Sequence, residues 1–238
     1  MNRSLTLFVV LCAFVNIAVS QQPSPAAHHA HHAASEPARS ADQIWTDLLA
    51  GNKRFVAGKL QIHDVSALRG KLAAGQQPHV IVLSCSDSRV APEFVFDQML
   101  GDLFVVRAAG NIAGPVGLGS IEYAVDHFHS PLLIVLGHQK CGAVNAACSG
   151  QKMPSPNLEA IVDKIDPAVA KAKTYAKADD LVESAIKENV HQSAKDLLAN
   201  SEIVRDAVKS GKLTLIEAEY ELDSGAVVRL NPPATGQN

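Results

Sequence analysis

Five residues hold most of the chemistry this chain can do: Cys85, Asp87 and Arg89 in the run Cys85-Ser-Asp-Ser-Arg89, and His138 and Cys141 in His138-Gln-Lys-Cys141. A His and a Cys three positions apart can face one ion from a turn or a first helical turn, because such positions are neighbours. Alone, that pair is a weak signal. Adding Cys85 gives two thiolates and an imidazole, a set that catalytic zinc uses when its fourth position is kept for water. A closed, structural zinc site needs a fourth Cys or His. Cys148 does not supply it: at ~1.5 Å rise per helical residue it falls roughly 10 Å beyond Cys141, and it reads as an inert buried thiol. In an extended segment Cys85, Asp87 and Arg89 point to one side. Asp87 then either becomes a fourth ligand or, paired with Arg89, stands off as an acceptor for water.

Both runs follow apolar stretches, at 80–84 and 132–136, that read as strands buried on both faces. A third short strand is expected at 104–106. Between them, 120–128 has the composition of a helix, approached through the glycine-rich 110–119. Gly110, Gly114, Gly117 and Gly119 follow neither the P-loop nor the dinucleotide-binding order, and they read as a turn and a helix start. Strands alternating with helices predict an α/β fold whose mostly parallel central sheet is flanked by helices, with right-handed crossovers. The two runs then leave the same end of one sheet and can meet. Upstream, Ser40-Ala-Asp-Gln43 resembles a capping box, with Ile44, Leu48 and Phe55 near one face. That predicts an N-terminal helical arm to about residue 74. Residues 157–210 read as helical. The segments 213–222 and 226–230, joined through Asp223-Ser-Gly225, read as a closing antiparallel hairpin.

The chain has 238 residues, 47% of them hydrophobic, enough for one domain with a sizeable core. A formal charge of -3 with no basic block argues against nucleic acid. The first twenty residues carry Arg3, an apolar run and Ala18-Val-Ser20 before Gln21, the order of a secretory signal peptide. The run is shorter than the ~20 residues a membrane span needs. The expectation is a periplasmic or secreted protein, without a membrane anchor once residues 1–20 are removed. Cleavage takes Cys12 and leaves Cys85, Cys141 and Cys148, which do not form a disulfide framework. Residues 21–39 are rich in Ala, Pro and His and read as a disordered linker. Its His28, His29, His31 and His32 admit a second reading, as a zinc-loading tether. Residues 40–231 form the folded domain, and 232–238 a loose tail.

Taken in order, these motifs resemble β-class carbonic anhydrases. They are Gly51-Asn-Lys-Arg-Phe55, Cys85-Ser-Asp-Ser-Arg-Val90, Gly101-Asp-Leu-Phe-Val-Val-Arg107, Ala109-Gly-Asn111, Gly119-Ser-Ile-Glu-Tyr-Ala124 and Gly137-His-x-x-Cys-Gly-Ala-Val144. The resemblance covers roughly 42–230. It implies one Zn2+ per subunit on Cys85, His138 and Cys141, an Asp87–Arg89 dyad, and reversible hydration of CO2 to bicarbonate. The family has an open form and a closed form in which the aspartate joins the metal. Gln76, Phe104 and Tyr123 match pocket residues of open members, and with the backbone near Gly142 they would hold a small substrate. A homodimer or dimer of dimers, with the pocket at the subunit boundary, is also implied. The sequence also admits two rivals: CS2 or COS hydrolysis on the same fold, and a non-catalytic zinc-binding protein. The chain departs from the family pattern at Ala108-Ala-Gly-Asn111 and at Glu217 and Glu219 in the last long strand.

Overall fold

The computed structural model describes residues 39–61 and 64–230. The expected leader at 1–20, the four-histidine tract and the tail at 232–238 lie outside the described residues. Five strands form one sheet: β1 (Val80–Ser84), β2 (Leu103–Arg107), β3 (Leu132–His138), β4 (Thr214–Tyr220) and β5 (Val227–Arg229). Their order across the sheet is β2-β1-β3-β4-β5. Pairs β1/β2, β1/β3 and β3/β4 are parallel, and only β4/β5 is antiparallel. The sequence expectation of a mostly parallel α/β sheet with a C-terminal hairpin holds.

Every residue of β1 and β3 is buried, as continuous apolar runs require when helices cover both faces of a parallel sheet. Alternation divides the core in two. Val80, Val82, Ile134 and Leu136 pack with Ile44, Trp45 and Leu48 of helix α1 (Ala41–Val56). Ile81, Leu83, Leu133 and Val135 pack with Ile121, Phe128, Val190 and Ala194 on the other side. The last two belong to the long helix Leu181–Asn200. Gly137 sets how closely that helix lies on β3, since a Cβ there would stand 2.3 Å from Val190 Cγ2.

Ser40 does cap α1: its hydroxyl accepts from Gln43 N while the Gln43 side chain accepts from Ser40 N. The helical arm is not continuous to residue 74. It breaks after Val56 and restarts as α2 (Val65–Leu72), whose first N–H groups are taken by the Asp64 carboxylate. A one-turn helix α3 (Pro92–Val95) follows β1. Asn52, buried in α1, ties distant pieces together by donating to Val95 O and Gly225 O and accepting from Val227 N.

The helix expected at 120–128 begins earlier, as α4 (Pro115–Tyr123), because Pro115 at its first turn needs no N–H partner there. The next five residues, Ala124–Phe128, form a π turn that ends at left-handed His129. After β3 come α5 (Gly142–Ser149) and α6 (Pro156–Ala172). Helix α7 spans Leu181–Asn200 and α8 spans Glu202–Lys209. The helical stretch expected at 157–210 is therefore three helices. Ser201 separates the last two and caps α8 through Val204 N. Among the described residues no helix is long and apolar enough to cross a membrane.

The two acidic departures on β4 meet α7. Glu217 accepts from His191 Nδ1 at 3.1 Å. Glu219 is buried, with Oε1 unpartnered and Oε2 3.8 Å from Lys187 Nζ. Burial raises its pKa above the ordinary glutamate value, and Lys187 only partly opposes this. A raised carboxyl pKa means that the folded state keeps its proton longer than the unfolded one, so stability falls as pH rises through that interval. Glu219→Gln, which carries no charge at any pH, should therefore flatten the decline in unfolding free energy as pH rises above the ordinary carboxylate range. Urea titrations of both proteins across that rise check this, and parallel pH profiles would contradict it.

Candidate metal centre

Strands β1 and β3 run side by side with Ser84 opposite Leu136. Cys85, just past β1, and His138, the last residue of β3, therefore emerge at one end of the sheet. That end, the carboxyl edge of parallel strands, is where open α/β sheets form their crevices. Lys140 takes a left-handed conformation, φ 54°, and turns the chain so that Cys141 becomes the N-cap of α5. The ligand atoms of Cys85, His138 and Cys141 all lie within 4.8 Å of one another. The residues are 4%, 1% and 1% exposed.

The hydrogen bonds around the group leave its inner atoms unspent. His138 Nδ1 lies 2.8 Å from Gln139 O, which as a carbonyl can only accept, so the proton sits on Nδ1 and the Nε2 lone pair is free. That Nε2 is buried and has no partner. An orphaned buried acceptor costs free energy unless something is meant to bind it, and a histidine that donates its other N–H to a carbonyl is dressed as metal ligands are. Cys85 Sγ accepts from Gly110 N at 3.3 Å. The Cys141 thiol, donating to Cys85, lowers the Cys85 pKa against the opposing effect of burial, with His138 and backbone N–H groups assisting. Cys141 is held up in turn by that same bond and by burial. Burial works against a charged His138, but the Cys85 sulfur, the Gln139 carbonyl and Asp87 together outweigh it and the pKa is raised. The three side chains thus tolerate one negative charge among themselves. A divalent cation would let both thiols ionise, and the donor set fits zinc.

Asp87 lies at the rim of this group, its Oδ2 3.8 Å from His138 Nε2. It is tethered by a two-pronged guanidinium: Arg89 Nε donates to Oδ1 at 2.9 Å and Nη2 to Oδ2 at 2.7 Å, with Arg89 N also donating to Oδ1. These bonds hold the carboxyl well below the usual aspartate range. The same loop is fixed from behind by Arg107 on β2, which donates to Cys85 O at 2.9 Å and Asp87 O at 2.6 Å. Arg107 was not among the expected site residues. Its one sequence signal is its place at the end of the Val-Val-Arg run.

Gly142 opens α5 beside Cys141. Phe104 and Tyr123 come together, ring centroids 6.3 Å apart, and Phe104 also meets Phe128 at 5.9 Å. His127, unremarked in the sequence, stacks on Tyr123 at 5.0 Å and 17°. Gln76 is exposed, in the segment leading to β1. The chain thus brings Cys85, Asp87, Arg89, His138, Cys141 and Gly142 into one cluster. Phe104 and Tyr123 form an aromatic group on edge strand β2 and the adjoining α4. Cys148 is half-buried and takes no part in the ligand group, and burial pushes its thiol up.

Fold and cluster together define an α/β protein with a candidate metal centre at the carboxyl ends of its central strands. The family described as carbonic anhydrase matches residues 80–227. Carbonic anhydrase 2 of Mycobacterium tuberculosis is 40% identical over 191 residues, which covers 77% of this chain and 90% of that protein. The β-carbonic anhydrase CafA of Aspergillus fumigatus is similar in structure, with a TM-score of 0.62 at 27% identity over 80% of this chain and 92% of that one. Tetrameric β-carbonic anhydrases of Sordaria macrospora share the fold, with a TM-score of 0.63 at 24% identity over 79% of this chain and 97% of that one. The chain belongs to the carbonic anhydrase family, and to its β class.

The Arg89 tether generates a direct expectation. Arg89→Ala frees an ionised carboxylate that already lies 3.8 Å from the His138 ligand atom. Because the Arg89 guanidinium is solvent-exposed, the pair contributes little to stability. Stopped-flow CO2 hydration at neutral pH should fall by about 100-fold, the scale of a misplaced catalytic group, with the melting temperature nearly unchanged. Wild-type turnover in Arg89→Ala would contradict this role.

Proposed function

We propose that this carbonic anhydrase is a zinc enzyme interconverting CO2 and bicarbonate, working outside the cytoplasm as a homodimer or dimer of dimers. The observation that carries the reading is the buried trio of Cys85, His138 and Cys141, with His138 Nε2 unpartnered, beside a carboxylate that Arg89 holds to one side. Cys85, His138 and Cys141 would hold the zinc, which when bound supplies a Lewis acid that brings the pKa of a water near neutrality.

The chain's own groups do the rest. Asp87, ionised and engaged by Arg89, keeps a lone pair with which to accept a hydrogen bond from the attacking water and so orient it toward the substrate carbon. Its pairing with Arg89 supports the open form, in which the aspartate stays off the metal. The Gly142 N–H, in the first turn of α5, has no carbonyl partner within its helix and would donate to an oxygen of bicarbonate. Phe104 and Tyr123 would offer CO2 an apolar wall, with Gln76 as a polar edge to it.

An assembly of subunits is supported by the β2 side of the molecule. There an edge strand stands beside α4, whose Val116 and Tyr123 are 86% and 49% exposed, and α3 leaves Phe94 63% exposed. Unpaired strand edges and apolar surface of this kind are usually covered. Location outside the cytoplasm is supported by the leader-like order of residues 1–20.

Zinc content and stopped-flow CO2 hydration measured on one sample test the reading. One zinc per chain with rapid turnover is expected, and Cys141→Ser should lose both. Hydrolysis of CS2 without hydration of CO2, or several zinc ions held on the histidine tract without turnover, would contradict it. Mass analysis of the exported chain tests the leader, with a mature terminus near Gln21 expected and an uncleaved cytoplasmic chain contradicting it.

A further inference from the structure

Asn189, on α7, is 1% exposed and hydrogen bonded in one sense only. Its Nδ2 donates to Gly110 O at 2.7 Å and to Asn111 Oδ1 at 3.4 Å, while its own Oδ1 is buried without a partner. An unpaired amide oxygen in the interior is unfavourable. Turning the amide over would be worse, because it would set that oxygen against the Gly110 carbonyl. The orientation of Asn189 is therefore dictated by Gly110.

Gly110 is in turn dictated by the metal centre. Its φ is +72°, and its N–H lies on Cys85 Sγ at 3.3 Å. That left-handed φ favours glycine, the residue most able to move its flanking peptides, and a Cβ there would also press on Ile165 Cδ1 at 2.7 Å. The flanking residues are held by Ala108 N to Ser84 O and Asn111 N to Ala108 O, both at 3.0 Å, and by the longer bonds of the Asn111 side chain, while the Gly110 carbonyl itself is held by Asn189. A thiolate that accepts an N–H bond gives less charge to a metal, and partners of this kind tune metal centres generally.

We propose that Asn189 is a positioning residue for the metal centre: by clamping the Gly110 carbonyl it keeps the Gly110 N–H on the Cys85 sulfur and so sets that ligand's donor strength. The inference rests on the reading of Cys85, His138 and Cys141 as metal ligands. Ser193, one turn further along α7, provides a control. It accepts from Asn111 Nδ2 at 3.5 Å and has no hydrogen bond to Gly110.

The test uses the full chain with cobalt(II) in place of zinc, so that the thiolate-to-cobalt charge-transfer band reports donor strength apart from turnover. Zinc affinity is measured in parallel by chelator competition. Asn189→Asp keeps the shape but replaces the donating NH2 with an acceptor, and it carries the test if Asn189→Ala does not fold. Both variants should shift the band to longer wavelength and weaken zinc binding by about 10-fold or more. Ser193→Ala should leave both readings at wild-type values. An unshifted band and unchanged affinity in the Asn189 variants, with only the melting temperature lowered, would overturn the proposal and leave Asn189 as a packing residue. Absence of the band in the wild type would instead overturn the metal assignment, and the proposal with it.

Discussion

The parallel pairing of β1 with β3 is the constraint on which the centre depends. With Ser84 opposite Leu136, Cys85 and His138 must leave the sheet together, and a slip of one residue would turn each side chain to the opposite face. The register is held by burial on both sides, since every residue of the two strands is enclosed between the α1 and α7 layers. The third sulfur needs one more device, the left-handed turn at Lys140 that brings Cys141 to the start of α5. The Cys85, His138 and Cys141 group thus gathers at the ends of two fully buried strands.

Around that group the electrostatics are unbalanced in a consistent direction. Two thiols and an imidazole share a space that favours one negative charge, and the imidazole nitrogen facing inward has no donor. What surrounds them supplies restraint. Arg107 grips the loop carbonyls of Cys85 and Asp87, Arg89 grips the Asp87 carboxylate, and Asn189 grips the turn whose N–H rests on Cys85. Each of these ties joins segments far apart in sequence or turns a charged group aside. Together they hold ready a site whose ligands would otherwise relax toward one another.

How much of this could be read from the sequence follows from the range of each interaction. The five reactive residues sit in two short runs, each directly after a buried strand, so both their types and their common sheet end were legible. The capping box at Ser40 and the closing hairpin were legible for the same reason, being local patterns. The start of α4 was misplaced because Pro115, a good first-turn residue, lies inside a glycine-rich stretch that suggested a turn. The break of the long helical stretch at Ser201 needed the cap to Val204 to be seen. Arg107, Asn189 and His127 were missed on different grounds. Arg107 and Asn189 act on backbone carbonyls of remote segments, and His127 acts by stacking, so none leaves a periodic or spaced pattern.

The central claim is that Cys85, His138 and Cys141 hold one metal while Asp87 is kept off it. A crystal structure of the zinc-loaded protein at neutral pH tests this most directly. The account predicts zinc on Cys85 Sγ, His138 Nε2 and Cys141 Sγ, with both Asp87 oxygens still engaged by Arg89. Zinc bound elsewhere, or coordinated by Asp87 with the Arg89 pair broken, would contradict it.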